Sequence, residues 1–109
     1  MMMDATVLDK LFKTIAARKG ADPSESYTAK LFSKGRNKIA QKVGEEGVEC
    51  VIAALSEGNE KLASESADLF YHLMVLWAEV GVKPEDIWAE IARREGISGI
   101  MEKNSRPKE

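Results

Sequence analysis

KVGEEGVECVIAA, residues 42–54, and ESADLFYHLMVLWAEVGV, residues 65–82, decide the fold of this 109-residue chain. Around the first stretch, Ile39, Val43, Cys50, Ala54 and Leu55 recur at helical intervals, which predicts a helix from about Arg36 to Leu55. Ser56-Glu57-Gly58-Asn59 closes it. Asn59 is the expected cap of a longer helix from Glu60 to about Val80, with Leu62, Leu69, Leu73, Trp77 and Val80 on one face and Gly81 as its stop. Upstream, Val7, Leu8, Leu11, Phe12 and Ile15 predict a first helix, with Thr6 as cap and Gly20 as stop. Ala21-Asp22-Pro23-Ser24 is a turn cluster, and Ser26 can cap a short helix carrying Tyr27 and Leu31 that ends near Gly35. Downstream, Pro84 suits the first turn of a fifth helix, with Glu85 and Asp86 at its positive end and Ile87, Trp88 and Ile91 turned inward. Beyond Gly96 the chain has little to bury. The expectation is an all-α bundle of about five helices over residues 1–96, with residues 97–109 a tail that is mobile or docked on a partner chain.

The acidic residues of the two central helices break the usual segregation of charge from core. At about 100° per residue, Glu46 falls between Ile39 and Ala53, in the sector that also holds Val43 and Cys50. Glu49 lies about 60° away at the edge of that stripe, and Glu45 lies farther toward the polar side. On the next helix Glu65, Asp68, His72 and Glu79 form a strip flanked by Leu69 and Leu76. Carboxylates set against a core without partners cost several kcal/mol each, roughly ten times what a surface helix pair returns. Glu46, Glu49, Glu65 and Asp68 therefore read as ligands of a divalent cation. Oxygen donors without cysteine suit Mg²⁺ or Mn²⁺ better than zinc, and Mg²⁺ commonly shares its shell with substrate phosphates. The competing reading is that these acids solvate helix faces and pair with Lys42 or Lys61.

Between Glu25 and Glu45 there is no acid, while Lys30, Lys34, Arg36, Lys38 and Lys42 accumulate. Lys38 and Lys42 share a side of their helix with Glu49, where ammonium groups can neutralise a polyphosphate. A solvated basic face or a nucleic-acid patch is the alternative, the latter weakened by the lack of interleaved aromatics and by a formal charge of −2. No Walker or dinucleotide glycine motif is present, so metal and side chains would hold phosphates. Gly44 and Gly47 read as permitting close helix packing. His72 is expected to be a hydrogen-bonded core group, Cys50 a buried inert thiol, and Trp77 and Trp88 core anchors. With 44% hydrophobic residues the domain can form a core, yet at this length self-association is a natural source of further burial. One cysteine, no secretory n-region and no apolar run of spanning length fit a reducing, cytoplasmic setting without membrane or nucleic-acid partners.

SYTAKLF (26–32), KVGEEGVECVIAA (42–54) and ESADLFYHLMVLWAEVGV (65–82) together resemble the phosphoribosyl-ATP pyrophosphatase family, within the MazG-like all-α nucleotide pyrophosphohydrolases. The likeness extends over about residues 6–96. It implies a MazG-like helical bundle completed by homodimerisation in the cytoplasm. It also implies hydrolysis of the α,β-phosphoanhydride of 1-(5-phosphoribosyl)-ATP to phosphoribosyl-AMP and pyrophosphate, in histidine biosynthesis. Carried onto this chain, it implies Mg²⁺ on Glu46, Glu49, Glu65 and Asp68, Glu45 as a nearby base, and Lys30, Lys38 and Lys42 against the departing pyrophosphate. Two rivals stand beside it: a same-fold pyrophosphatase of ordinary (d)NTPs, and a non-enzymatic helical dimerisation module. A ferritin-like di-iron site would need Glu-x-x-His pairs, and Glu65-x-x-Asp68 lacks the histidine.

Overall fold

The computed structural model describes residues 3–107, which are all helix and connecting turn. Six α-helices follow one another: α1 (Thr6–Ala17), α2 (Tyr27–Lys34), α3 (Arg36–Ile52), α4 (Asn59–Val80), α5 (Pro84–Arg94) and α6 (Gly99–Ser105). A π-helical turn, Ala53–Glu57, extends α3 before the chain reverses. Gly58, at φ +100°, makes that reversal, and Gly81, at φ +89°, ends α4 while its N–H and that of Val82 donate to the Trp77 carbonyl.

Two expected caps are relocated by one or two residues. Thr6 is the first residue of α1, and Asp4 does the capping: its Oδ1 accepts from the Thr6 N–H at 2.9 Å and from the Thr6 hydroxyl. Asn59 is likewise the first residue inside α4, behind Gly58. Ser26 caps α2 as expected, its Oγ accepting from the Ala29 N–H at 3.1 Å. Lys83 N–H donates to the Asp86 side chain at 3.0 Å, and Pro84 occupies the first turn of α5.

The antiparallel pair α3/α4 is the most extensive helix contact, and α1 and α2 pack against α4 and α3 respectively. The core joins Ile15, Leu31, Phe32, Ile39, Met74 and Val75, with Leu8, Leu11, Phe12, Leu76 and Trp77 packed around it. Burying an aliphatic or aromatic side chain of this kind contributes about 1.5–3 kcal/mol, so six such groups at the junction of four helices fix the register of α3 on α4. Trp77 and Trp88 meet edge to face at 6.3 Å, and Trp88 Nε1–H donates to Asp9, tying α5 to α1. At the end of α3, Ala53 takes the core position while Ala54 and Leu55, expected in the apolar stripe, face solvent. Cys50 is half-buried and free.

The sixth helix lies where order was expected to fade. Ser98 caps it, its Oγ accepting from the Met101 N–H, and its one buried side chain is a carboxylate, Glu102. Arg93 and Arg106 donate to that carboxylate and Arg94 stands 3.7 Å away, so ion pairs dock α6 on the end of α5. The guanidinium donors hold Glu102 at about 2, well below the ordinary carboxylate value. Among the described residues, no helix is long and apolar enough to cross a membrane.

Candidate metal centre

α3 and α4 face each other along much of their length, so residues one turn apart on each helix can converge. Glu65 and Asp68, three apart on α4, point toward α3, and Glu46 points back from it. One carboxylate oxygen from each of the three lies within 4.8 Å of the other two. Glu65 is buried, Glu46 half-buried and Asp68 exposed, which leaves the group open on one side. Three carboxylates this close repel one another unless cations stand among them. Two ammonium groups do so in part. Lys61 Nζ is 3.3 Å from Glu65, and Lys42 Nζ is 3.9 Å from Glu46 and 3.3 Å from Glu45. These are the pairs the solvated-face reading anticipated; they are monovalent and at least partly exposed, and they leave three acids against two ammonium groups. All-oxygen donors, an open face and a negative surplus fit a hard divalent cation.

Glu49, the fourth expected ligand, is exposed on α3 and lies outside the group of three. It is not remote, because its charge, with that of Glu65, helps raise the pKa of Lys61. Glu45 is exposed and accepts from Gln41 at 2.9 Å; that bond, with Lys42 next, lowers its pKa. Lys38 contributes to the same lowering, which places it on the Glu45 side of α3. Lys42, in turn, has a raised pKa, chiefly through its hydrogen bond to Glu45. Lys30 is elsewhere, on α2, where with Lys34 it lines an open cavity. Lys42 stands beside Glu46 and Glu45, whereas Lys30 lies on α2 in different surroundings.

The wall behind the acids is built from α2 and α4. His72 is buried, and its Nδ1–H donates to the Asp68 carbonyl at 2.8 Å, as expected of a structural histidine. That bond fixes the tautomer and leaves Nε2 without a protein partner. The Tyr71 ring meets His72 edge-on at 5.0 Å and stacks near Tyr27 at 6.3 Å, and its hydroxyl shares a short hydrogen bond with Thr28. Sequence spacing marks Tyr27 only as part of the short second helix and does not single out Tyr71. The signal that could have found Tyr27 is its place beside a cap serine in a polar, lysine-bearing turn.

A sequence profile described as Phosphoribosyl-ATP pyrophosphohydrolase matches residues 8–95. Proteins named phosphoribosyl-ATP pyrophosphatase are similar over nearly the whole chain. That of Paramagnetospirillum magneticum is 62% identical over 108 residues, covering 99% of each chain. That of Azospirillum brasilense is 62% identical over 104 residues, 95% of this chain and 94% of its own. That of Rhodospirillum rubrum is 60% identical over 102 residues, 94% and 87% respectively.

Proposed function

The chain belongs to the phosphoribosyl-ATP pyrophosphohydrolase family, and from that premise we propose that it hydrolyses the α,β-phosphoanhydride of 1-(5-phosphoribosyl)-ATP. The products are phosphoribosyl-AMP and pyrophosphate, and the step belongs to histidine biosynthesis. The observation that carries the reading is the convergence of Glu46, Glu65 and Asp68 from two helices onto one point. When bound, Mg²⁺, or Mn²⁺ in its place, polarises phosphoryl oxygens and lowers the pKa of an attacking water. Glu46, Glu65 and Asp68 would hold the ion, with Glu49, one turn along α3 from Glu46, as a further carboxylate for it. Glu45, which shares Lys42 with Glu46, would be the group to take the water's proton. Lys42 and Lys38 face the charge that builds on the departing pyrophosphate. Their worth lies in standing there before the reaction begins, since charge placed in advance needs no reorganisation.

The same reading includes a homodimer in the cytoplasm. Val48, Val51, Ile52 and Leu55 are exposed along the side of α3 opposite Glu46. An apolar cavity of about 210 Å³ lies between α4 and α5, bounded by Phe70, Trp77, Trp88 and Ile91. Both are surfaces that a second copy would cover.

Phosphorus NMR of phosphoribosyl-ATP incubated with the protein and Mg²⁺ tests the activity. Pyrophosphate and a phosphoribosyl monophosphate should appear together, with ordinary dNTPs turned over far more slowly. Release of single phosphate, or faster turnover of dNTPs, would overturn the assignment.

A further inference from the structure

We propose that the cavity at the start of α2 is the subsite for the second sugar phosphate of the substrate, binding the 5-phosphate of the phosphoribosyl group through Lys30 and Lys34. The inference rests on the proposed function and names the part of the site that selects phosphoribosyl-ATP over ATP.

The open cavity, of about 610 Å³, is lined by Ser24, Ser26, Tyr27, Lys30, Ser33 and Lys34, and by one acid, Glu25, against the two lysines. Lys30 and Lys34 are four residues apart on one helix, and neither forms an ion pair among the described residues. At that spacing two ammonium groups stand on the same face of the helix, near enough for one phosphate to bridge them. Three serine hydroxyls surround them. Each already makes one local hydrogen bond, to Asp22, from Ala29 or to the Lys30 carbonyl, which fixes the polar wall before a ligand arrives.

The position of the cavity fits a substrate with anionic groups at both ends. The triphosphate belongs at the acids, and the phosphoribosyl group hangs from the base at the opposite end. Tyr27 joins the two regions. Its ring lines the cavity and stacks near Tyr71, next to the histidine that contacts the Asp68 carbonyl. Tyr27 is 56% exposed, leaving a ring face for the base or ribose between the two phosphate loci. ATP would fill the acidic end and the aromatic step, and leave the lysine cavity vacant.

Lys34→Gln, alone and with Lys30→Gln, tests this with phosphoribosyl-ATP as substrate and ATP as competitive inhibitor. Lys34→Gln should raise KM for phosphoribosyl-ATP about tenfold with kcat unchanged and with the inhibition constant of ATP within about twofold of wild type. Adding Lys30→Gln should raise KM further. Equal weakening toward both nucleotides, or an unchanged KM in the double variant, would overturn the subsite. Ribose 5-phosphate, followed by amide chemical shifts without Mg²⁺, separates this inference from the proposed activity. It should perturb Ser26, Lys30 and Lys34 in the wild type and not in the double variant, whose melting temperature reports that it is folded. A wild type that takes ribose 5-phosphate there yet leaves phosphoribosyl-ATP intact would refute the activity and spare the cavity as a sugar-phosphate site. Shifts spread over the basic face, or unchanged in the double variant, would refute the cavity.

Discussion

Glu65→Gln should separate a metal ligand from a structural ion pair, because the two roles predict opposite signs in the metal-free protein. Glu65 lies within 4.8 Å of both Glu46 and Asp68, where two unit charges at an effective dielectric near 20 repel by about 3 kcal/mol, less where Asp68 meets water. The amide removes both repulsions. It also gives up the 3.3 Å contact with the half-exposed Lys61, which is worth at most about 1 kcal/mol. The metal-free variant should therefore be as stable as the wild type or more so. With Mg²⁺ at a hundred times its dissociation constant, the wild type gains about 2.7 kcal/mol, or about 10 °C in a domain of this size. A tenfold loss of affinity reduces that gain to about 1.4 kcal/mol and a hundredfold loss to about 0.4 kcal/mol. Differential scanning fluorimetry over a Mg²⁺ series, with Ca²⁺ and added NaCl as controls, reads both effects. A variant that loses stability without metal and keeps the full Mg²⁺ response would refute the reasoning, and would make Glu65 a partner of Lys61 only.

The same electrostatics predicts that Lys61→Met tightens Mg²⁺ severalfold at low salt, an advantage that calorimetry should show fading as ionic strength rises. Glu102 is held at about 2 against an ordinary 4.5, so its contribution to α6 docking is complete above pH 4.5 and lost as the pH falls toward 2; hydrogen exchange at residues 99–105 should accelerate over that window, and Glu102→Gln should show the faster exchange already at neutral pH. Ile39 is fully buried beneath the α3/α4 pair, and Ile39→Ala should cost about 2–5 kcal/mol by chemical denaturation. Val51→Glu, on the exposed face of α3, should yield a monomer by analytical ultracentrifugation and the wild type a dimer; an unchanged sedimentation coefficient would remove that face from the proposed interface.

The helices were legible because their apolar residues recur at helical spacing and end at Gly35, Gly58 and Gly81, each with positive φ. The placement of Glu46 was legible for the same reason: one wheel position put a carboxylate beside Ile39. The spacing of Glu65 and Asp68 put two more on one face of α4. Glu49 shows the limit of the wheel. An angle about 60° off the stripe is compatible with a rim or a site, and only the packing of α4 against α3 decides how far it stands from Glu65. The sixth helix was invisible to apolar periodicity because its buried contact is Glu102, held by arginines of α5. The division of the basic run was equally hidden. Lys30 and Lys42 look alike in sequence, yet the turn at Gly35 puts them on different helices, one lining a cavity and the other beside the acids.

Three carboxylates from two helices should act as one cation site that supports anhydride cleavage. Pyrophosphate release from phosphoribosyl-ATP, at saturating Mg²⁺ and after metal removal, by the wild type, Glu46→Gln and Asp68→Asn tests it most directly. The wild type should release pyrophosphate only with metal, and both folded variants should lose at least about a hundredfold in kcat/KM, on the order of 3 kcal/mol of transition-state stabilisation. Undiminished release by either folded variant, or release by the wild type after metal removal, would contradict it.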